Sequence, residues 1–132
     1  MKLARIGNPG KEKPIIVDKD NNYRDVSSII KDFNSDHLNF ETLEKLNNIK
    51  PEDLPILEKN QRIGACVHKP SKFIGIGLNF KDHAIEQNMP IPKEPIIFSK
   101  FTNSVSGPND DIVIPKNSNH TDWEVELGFV IG

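Results

Sequence analysis

Residues 72–86 read KFIGIGLNFKDHAIE, and the way this stretch folds decides the architecture of the second half of the chain. Lys72 to Leu78 is a short apolar run studded with glycines, which predicts a strand. From Asn79 the pattern turns helical. Asn79 is a good N-cap, and Asp82 in the first turn suits the positive end of a helix. Asn88, Pro90 and Pro92 then stop the helix. Strand, glycines and helix in that order invite a dinucleotide-binding reading. The third glycine of that fingerprint would fall at Phe80, however, and Lys100 stands where an acidic residue should close the following strand. Gly75 and Gly77 are therefore read as points of close backbone packing, or of substrate approach to bare backbone.

Downstream, Pro95 to Lys100 predicts the next strand, Ser106 to Asp111 a turn, and Ile112 to Pro115 another strand. Lys116 to Thr121 is a polar loop. Trp123-Glu124-Val125-Glu126-Leu127 alternates apolar and acidic residues, the period of a half-buried strand. Upstream, Leu3, Ile6 and Ile15-Ile16-Val17 supply two strands within Lys2 to Asp25. Their turns are Asn8-Pro9-Gly10 and Asp18 to Asn22, residue types that tolerate turn dihedrals. Val26 to Ile30 leads into a helical pattern with Phe33. Phe40, Leu43 and Leu46 give a second helix, over 39–48, one apolar face. A polar connection from Glu52 to about Pro70 is broken by Pro55 and Gly64. The chain is expected to be α+β: a small N-terminal α+β domain over 1–68, then the start of a β-rich domain over 69–132.

Composition narrows the function classes. The 132 residues are 36% hydrophobic and 27% charged, with a net charge of −2. Basic residues are scattered among acids, so no nucleic-acid-binding stripe is expected. No run of about 18 apolar residues suggests a membrane span, and the start MKLARIGNPGKEKP lacks the apolar core of a signal peptide. Cytoplasm is the default expectation. Cys66, with no second cysteine to pair with, agrees with a reducing compartment. Gly64, Ala65 and Val67 around it suggest a small buried residue.

Two pairs of side chains carry chemistry. His83 and Glu86 are three apart on the predicted helix and share a face. A carboxylate beside an imidazole orients it and favours its protonated form, which suits general-base work on water. A solvated surface pair is the plainer alternative. Glu124 and Glu126 are two apart in a predicted strand, so both carboxylates point one way, with Cα atoms about 6.5–7 Å apart. Side by side they call for a cation between them, and their hard oxygens favour Mg²⁺, Mn²⁺ or Ca²⁺ over zinc. The alternative is an amphipathic strand with its acidic face in water. Gly128 leaves room beside the second carboxylate. Lys100 can neutralise an anionic substrate or is a plain surface lysine, while His120 and Asp122 are assigned to solvent or to a supporting layer behind the metal ligands.

Four motifs in order, Ile74 to Glu86, Pro90 to Phe98 with Lys100, Ser106 to Pro115, and Asp122 to Leu127 with Val130-Ile131-Gly132, resemble the fumarylacetoacetate hydrolase family. The opening MKLARIGNPGKEKP and the segment around Asp25-Val26-Ser27 are similar to the small N-terminal domain of bacterial members, often labelled ureidoglycolate lyase or 2,4-diketo-3-deoxy sugar-acid hydrolase. The resemblance implies a mixed β-roll catalytic domain, homodimeric at full length. It also implies hydrolysis or lyase chemistry on a small anionic diketo- or 2-oxo-acid substrate. It assigns His83 and Glu86 as the water-activating dyad on a lid helix, Glu124 and Glu126 as ligands to Mg²⁺ or Mn²⁺, and Asn79 and Lys100 to substrate binding. The family's third metal ligand, an Asp, would lie beyond Gly132. The chain is thus expected to be an N-terminal fragment that is inactive by itself, or a complementing half that binds a partner chain.

Overall fold

A computed structural model describes all residues, Met1–Gly132. They fall into two units, Met1–His68 with Ser106–Gly132, and Lys69–Val105. The class is α+β, as expected. Residues 106–132 thus group with the first unit.

In the first unit, β1 (Lys2–Ile6), β2 (Lys13–Val17), β3 (Tyr23–Asp25) and β4 (Ile56–Leu57) form an antiparallel sheet in that spatial order. β1 and β2 pair from Lys2↔Val17 to Ile6↔Lys13. Their connection contains a type II turn: the Lys11 amide donates to the Asn8 carbonyl at 2.9 Å, Pro9 takes the first central position, and Gly10 follows at φ +76°. The β2–β3 turn closes on Asp18. Its Oδ1 accepts from the amides of Asp20 and Asn22, and Oδ2 from the Arg24 guanidinium at 2.8 Å. Asn21 completes the turn in the left-handed region at φ +59°. Residues 62–64 run beside the end of β1: the Gly7 amide donates to the Arg62 carbonyl at 2.8 Å, and the Gly64 amide to the Arg5 carbonyl at 2.7 Å.

The core of this unit joins Ile16 to Val26, Ile30, Phe33 and Leu46, with Leu3, Leu38 and Leu54 packed around them. Val26, Ile30 and Phe33 are buried at helical spacing, yet they do not form the helix their periodicity predicts. One turn forms, with the Ile29 and Ile30 amides donating to the Val26 carbonyl. Two serines and a β-branched run lower helix propensity there, and Asp32 is held by Arg5 instead of by a helical neighbour. The expected helix over 39–48 does form, as α1 (Phe40–Asn47), with the Asn39 side chain accepting from the Thr42 amide at 2.9 Å. Its first residue departs from the expected apolar face: Phe40 is 93% exposed, while Leu46 is buried. Strands β3 and β4 escape a periodicity reading, being three and two residues long.

The expected strands over Ile112–Pro115 and Trp123–Leu127 do not form. Alternation specifies which side chains share a face, but a strand also needs a neighbour for its amides and carbonyls. These residues join no ladder, and their side chains are exposed.

In the second unit, β5 (Phe73–Gly77) pairs antiparallel with β6 (Ile96–Lys100), from Phe73↔Lys100 to Gly77↔Ile96. Gly75 lies opposite Phe98, whose ring covers it so closely that an added Cβ would stand 2.8 Å from ring carbons. This is the close packing expected of the glycines. Between the strands lies α2 (Lys81–Glu86). It starts one residue later than expected: the N-cap is Phe80, with no side-chain cap bond. Its end is a Schellman motif. The Met89 amide donates to the Ala84 carbonyl and the Asn88 amide to the Ile85 carbonyl, with Asn88 left-handed at φ +52°.

Candidate active site

The candidate residues of the second unit are set by β5, α2 and β6. α2 places His83 and Glu86 one turn apart on a single face. His83 is half-buried beside the fully buried Ala84, and Glu86 is exposed. Asn79 lies in the corner between β5 and α2, after Leu78, which is left-handed at φ +48°. That conformation costs a bulky residue about 1–2 kcal/mol. Lys100 ends β6, its ammonium 5.9 Å from the centre of the Phe73 ring and 6.0 Å from that of Phe98. These rings hold the ammonium by cation–π attraction while leaving it open to solvent.

Glu124 and Glu126 lie in the first unit, within the unladdered segment after Asp111, and both are exposed. Nowhere in the chain do three His, Cys, Asp or Glu side chains converge as a cation site. The expected residues therefore divide between the units, with His83, Glu86, Asn79 and Lys100 in one and the two glutamates in the other. His120 and Asp122 are exposed. Cys66 is exposed, which corrects the expectation of a buried thiol. Small neighbours had suggested burial, but they lie in a loop at the edge of the sheet and not in a strand interior.

A recess of about 380 Å³ opens elsewhere in the first unit, lined by Arg5, Glu12, Lys31, Asp32, His37 and His68 among others. Nothing in the sequence reading had singled it out. The available signal was Arg5, a charge set between the apolar residues Ala4 and Ile6. Arg5 is 3% exposed. Its Nε donates to Asp32 Oδ1 at 2.6 Å, and its Nη2 to Asp32 Oδ2 at 2.9 Å and Glu12 at 3.3 Å. Nη1 donates to the Ala65 carbonyl at 3.1 Å, and His68 Nδ1 lies 3.0 Å from Nη2. Every guanidinium nitrogen is engaged, and no buried side-chain polar atom lacks a partner. A guanidinium engaged at every nitrogen by its own chain serves to hold the fold together.

The same network continues outward. Glu12 accepts from Arg62 at 2.9 Å, and Arg62 clasps Asp110 with Nε and Nη2, at 2.6 and 2.5 Å. The Arg62 bonds, together with the Gly107 amide, hold the Asp110 carboxyl below its usual range. Burial pushes the Glu12 carboxyl up, but backbone amides and the two arginines outweigh it and leave it lowered.

Comparison with known proteins finds relatives along the whole chain and a family match in its second half. The whole chain is 54% identical over 132 residues to a protein of Burkholderia multivorans and to one of Burkholderia ambifaria, each named "Putative hydrolase". A protein of the same name from Burkholderia cenocepacia is similar to the same degree. The chain spans 47% of the length of each. No helix is long and apolar enough to cross a membrane. All six candidate residues fall within residues 72–132, and those residues match the family described as fumarylacetoacetate (FAA) hydrolase C-terminal.

Proposed function

We propose that the protein serves a divalent-metal-dependent hydrolase or lyase of the fumarylacetoacetate hydrolase family. Its substrate would be a small anionic diketo- or 2-oxo-acid, cleaved by C–C hydrolysis or by ureidoglycolate-type lyase chemistry. The observation that carries this reading is the family match over 72–132, which contains every candidate residue. The hydrolase names of the relatives agree with it.

The donor set suits the metal in kind. Glu124 and Glu126 offer hard, solvent-accessible oxygens, the chemistry Mg²⁺ and Mn²⁺ prefer. A bound cation would supply charge stabilisation to the substrate's oxo-acid oxygens. The remaining work belongs to side chains. A ring nitrogen of His83 takes a proton from water while Glu86 stabilises the imidazolium. The hydroxide oxygen bonds to the distal carbonyl carbon. On collapse the C–C bond breaks, and its electron pair leaves with the 2-oxo-acid fragment, which then takes up a proton. Lys100 pairs with the substrate carboxylate, and Asn79 donates a hydrogen bond to it. At full length the enzyme is proposed to work as a cytoplasmic homodimer.

Two carboxylates with no third convergent donor hold such a cation weakly. The 132-residue chain alone is therefore expected to show little or no turnover of acylpyruvates with Mg²⁺ or Mn²⁺. A chain extended to the length of the relatives should turn over, and His83→Ala in it should lower kcat by roughly 10²–10⁴-fold. Unchanged kcat in that variant would remove His83 from the mechanism. A second reading, that the chain is a complementing half for a partner polypeptide, is favoured by one observation. Trp123, Val125, Leu127 and Phe129 are each more than 70% exposed, an apolar surface that a partner would cover. Activity appearing only when the two halves of a relative-length enzyme are mixed would favour this second reading.

A further inference from the structure

We infer that Arg62 is a positioning residue: it ends a chain of alternating charges that fastens the segment bearing Glu124 and Glu126 to the N-terminal sheet. Its importance for function rests on the metal-binding reading of those glutamates; the fastening itself does not.

The chain of charges runs Asp32, Arg5, Glu12, Arg62, Asp110. Its inner end is buried, with Arg5 and Glu12 side chains 3% and 7% exposed, and its outer end is partly open, with Arg62 and Asp110 at 25% and 24%. A sequence separation of 48 residues is bridged at the outer step. The contact has the form of a built clasp, unlike an incidental surface pair. Both nitrogens of the fork are used, one on each Asp110 oxygen, and the same Oδ2 also accepts from the Gly107 amide at 2.6 Å. A third bond runs from Arg62 Nη1 to the Gly7 carbonyl at 3.2 Å, which ties the guanidinium to the end of β1. Gly107 is buried, and a Cβ there would collide with the Ile63 carbonyl, so the turn seats on the residue next to Arg62. The Asp110 amide closes that turn on the Gly107 carbonyl at 3.2 Å. Beyond Asp111 the chain joins no ladder. The clasp is the last set of side-chain bonds to the sheet before the stretch that carries the glutamates.

Amide hydrogen exchange on the 132-residue chain tests the fastening. Arg62→Met and Asp110→Asn should each speed exchange at Gly107 and Asp110 by about tenfold, with the β2 amides of Ile15 and Ile16 unchanged. Arg62→Lys, which keeps the charge and loses the fork, should fall between. Unchanged exchange at 107–110 in Asp110→Asn, or equal acceleration in β2, overturns the inference. Mn²⁺ titration provides the functional arm. Loss of a positive charge would by electrostatics alone tighten Mn²⁺ binding, whereas loss of positioning weakens it. Arg62→Met should weaken it several-fold; tighter binding refutes the positioning role. The titration is run on a chain extended to the length of the relatives; should that chain take up no Mn²⁺, the metal reading of Glu124 and Glu126 fails, and the exchange data still decide the fastening.

Discussion

The sheet of β1–β4 and the hairpin of β5 and β6 are both antiparallel, yet they satisfy their side chains in opposite ways. In the first, β2 buries Ile15 and Ile16 on its two faces, and the inward charge of Arg5 is fully paired. In the second, Ile74, Ile76, Ile97 and Phe98 are all more than 40% exposed, and Ala84 is the one fully buried side chain. The proposed chemistry sits in the second arrangement and in the unladdered residues after Asp111. Groups that have spent their bonds on one another give stability. Groups left accessible can give chemistry, but they lean on other surfaces for support.

The comparison can be broken at its core. Phe33→Ala should cost about 3–5 kcal/mol, because a 1% exposed ring leaves a cavity among Ile16, Val26 and Leu46. Phe101→Ala, at an 83% exposed position, should stay within about 0.5 kcal/mol. Circular dichroism is the appropriate probe, since Trp123 is 78% exposed and reports poorly on the core. A loss at Phe101 matching that at Phe33 would erase the distinction.

Acid sharpens it next. In Asp25 burial raises the carboxyl, yet the Ser27 bonds and Lys13 leave it lowered; Glu12 and Asp110 are lowered as well. A folded pKa below the unfolded one stabilises the fold above the unfolded value, and that contribution fades as pH drops through the folded value. With ordinary values of 4.5 for Glu and 3.8 for Asp, urea midpoints should hold at neutral pH and fall progressively below about pH 4. Because every one of these carboxyls lies in the first unit, its melting should respond to acid. A midpoint that rises on acidification would contradict the ion chain. The smallest effect belongs to the helix cap: Asn39→Ala should lower stability by about 1 kcal/mol, read from the thermal midpoint, by freeing the Thr42 amide.

Local chemistry made much of this legible. Asn8-Pro9-Gly10 announces its turn because dihedral preference is a property of adjacent residues. Asn39 and the Leu43–Leu46 spacing announce α1 in the same way. The dyad spacing was equally open, since three residues on a helix share a face however the helix is packed. The role of Arg5 was not legible. A charge between Ala4 and Ile6 gives no hint of partners, and its partners come from 7, 27 and 60 residues away. The same holds for Val26–Phe33, where helical spacing of buried residues was met without a helix.

The amino-acid order by itself thus determined the turns, α1, the strands β1, β2, β5 and β6, and the family pattern over 72–132, because each depends on dihedrals, spacing or residue identity along a short stretch. Only the tertiary structure decided that Arg5 is buried and saturated, that Cys66 is exposed, and that Trp123–Leu127 has no ladder. Those outcomes depend on which distant groups come within bonding distance. Hydrogen bonds and ion pairs act over about 3 Å, and nothing local to a residue specifies what will stand there.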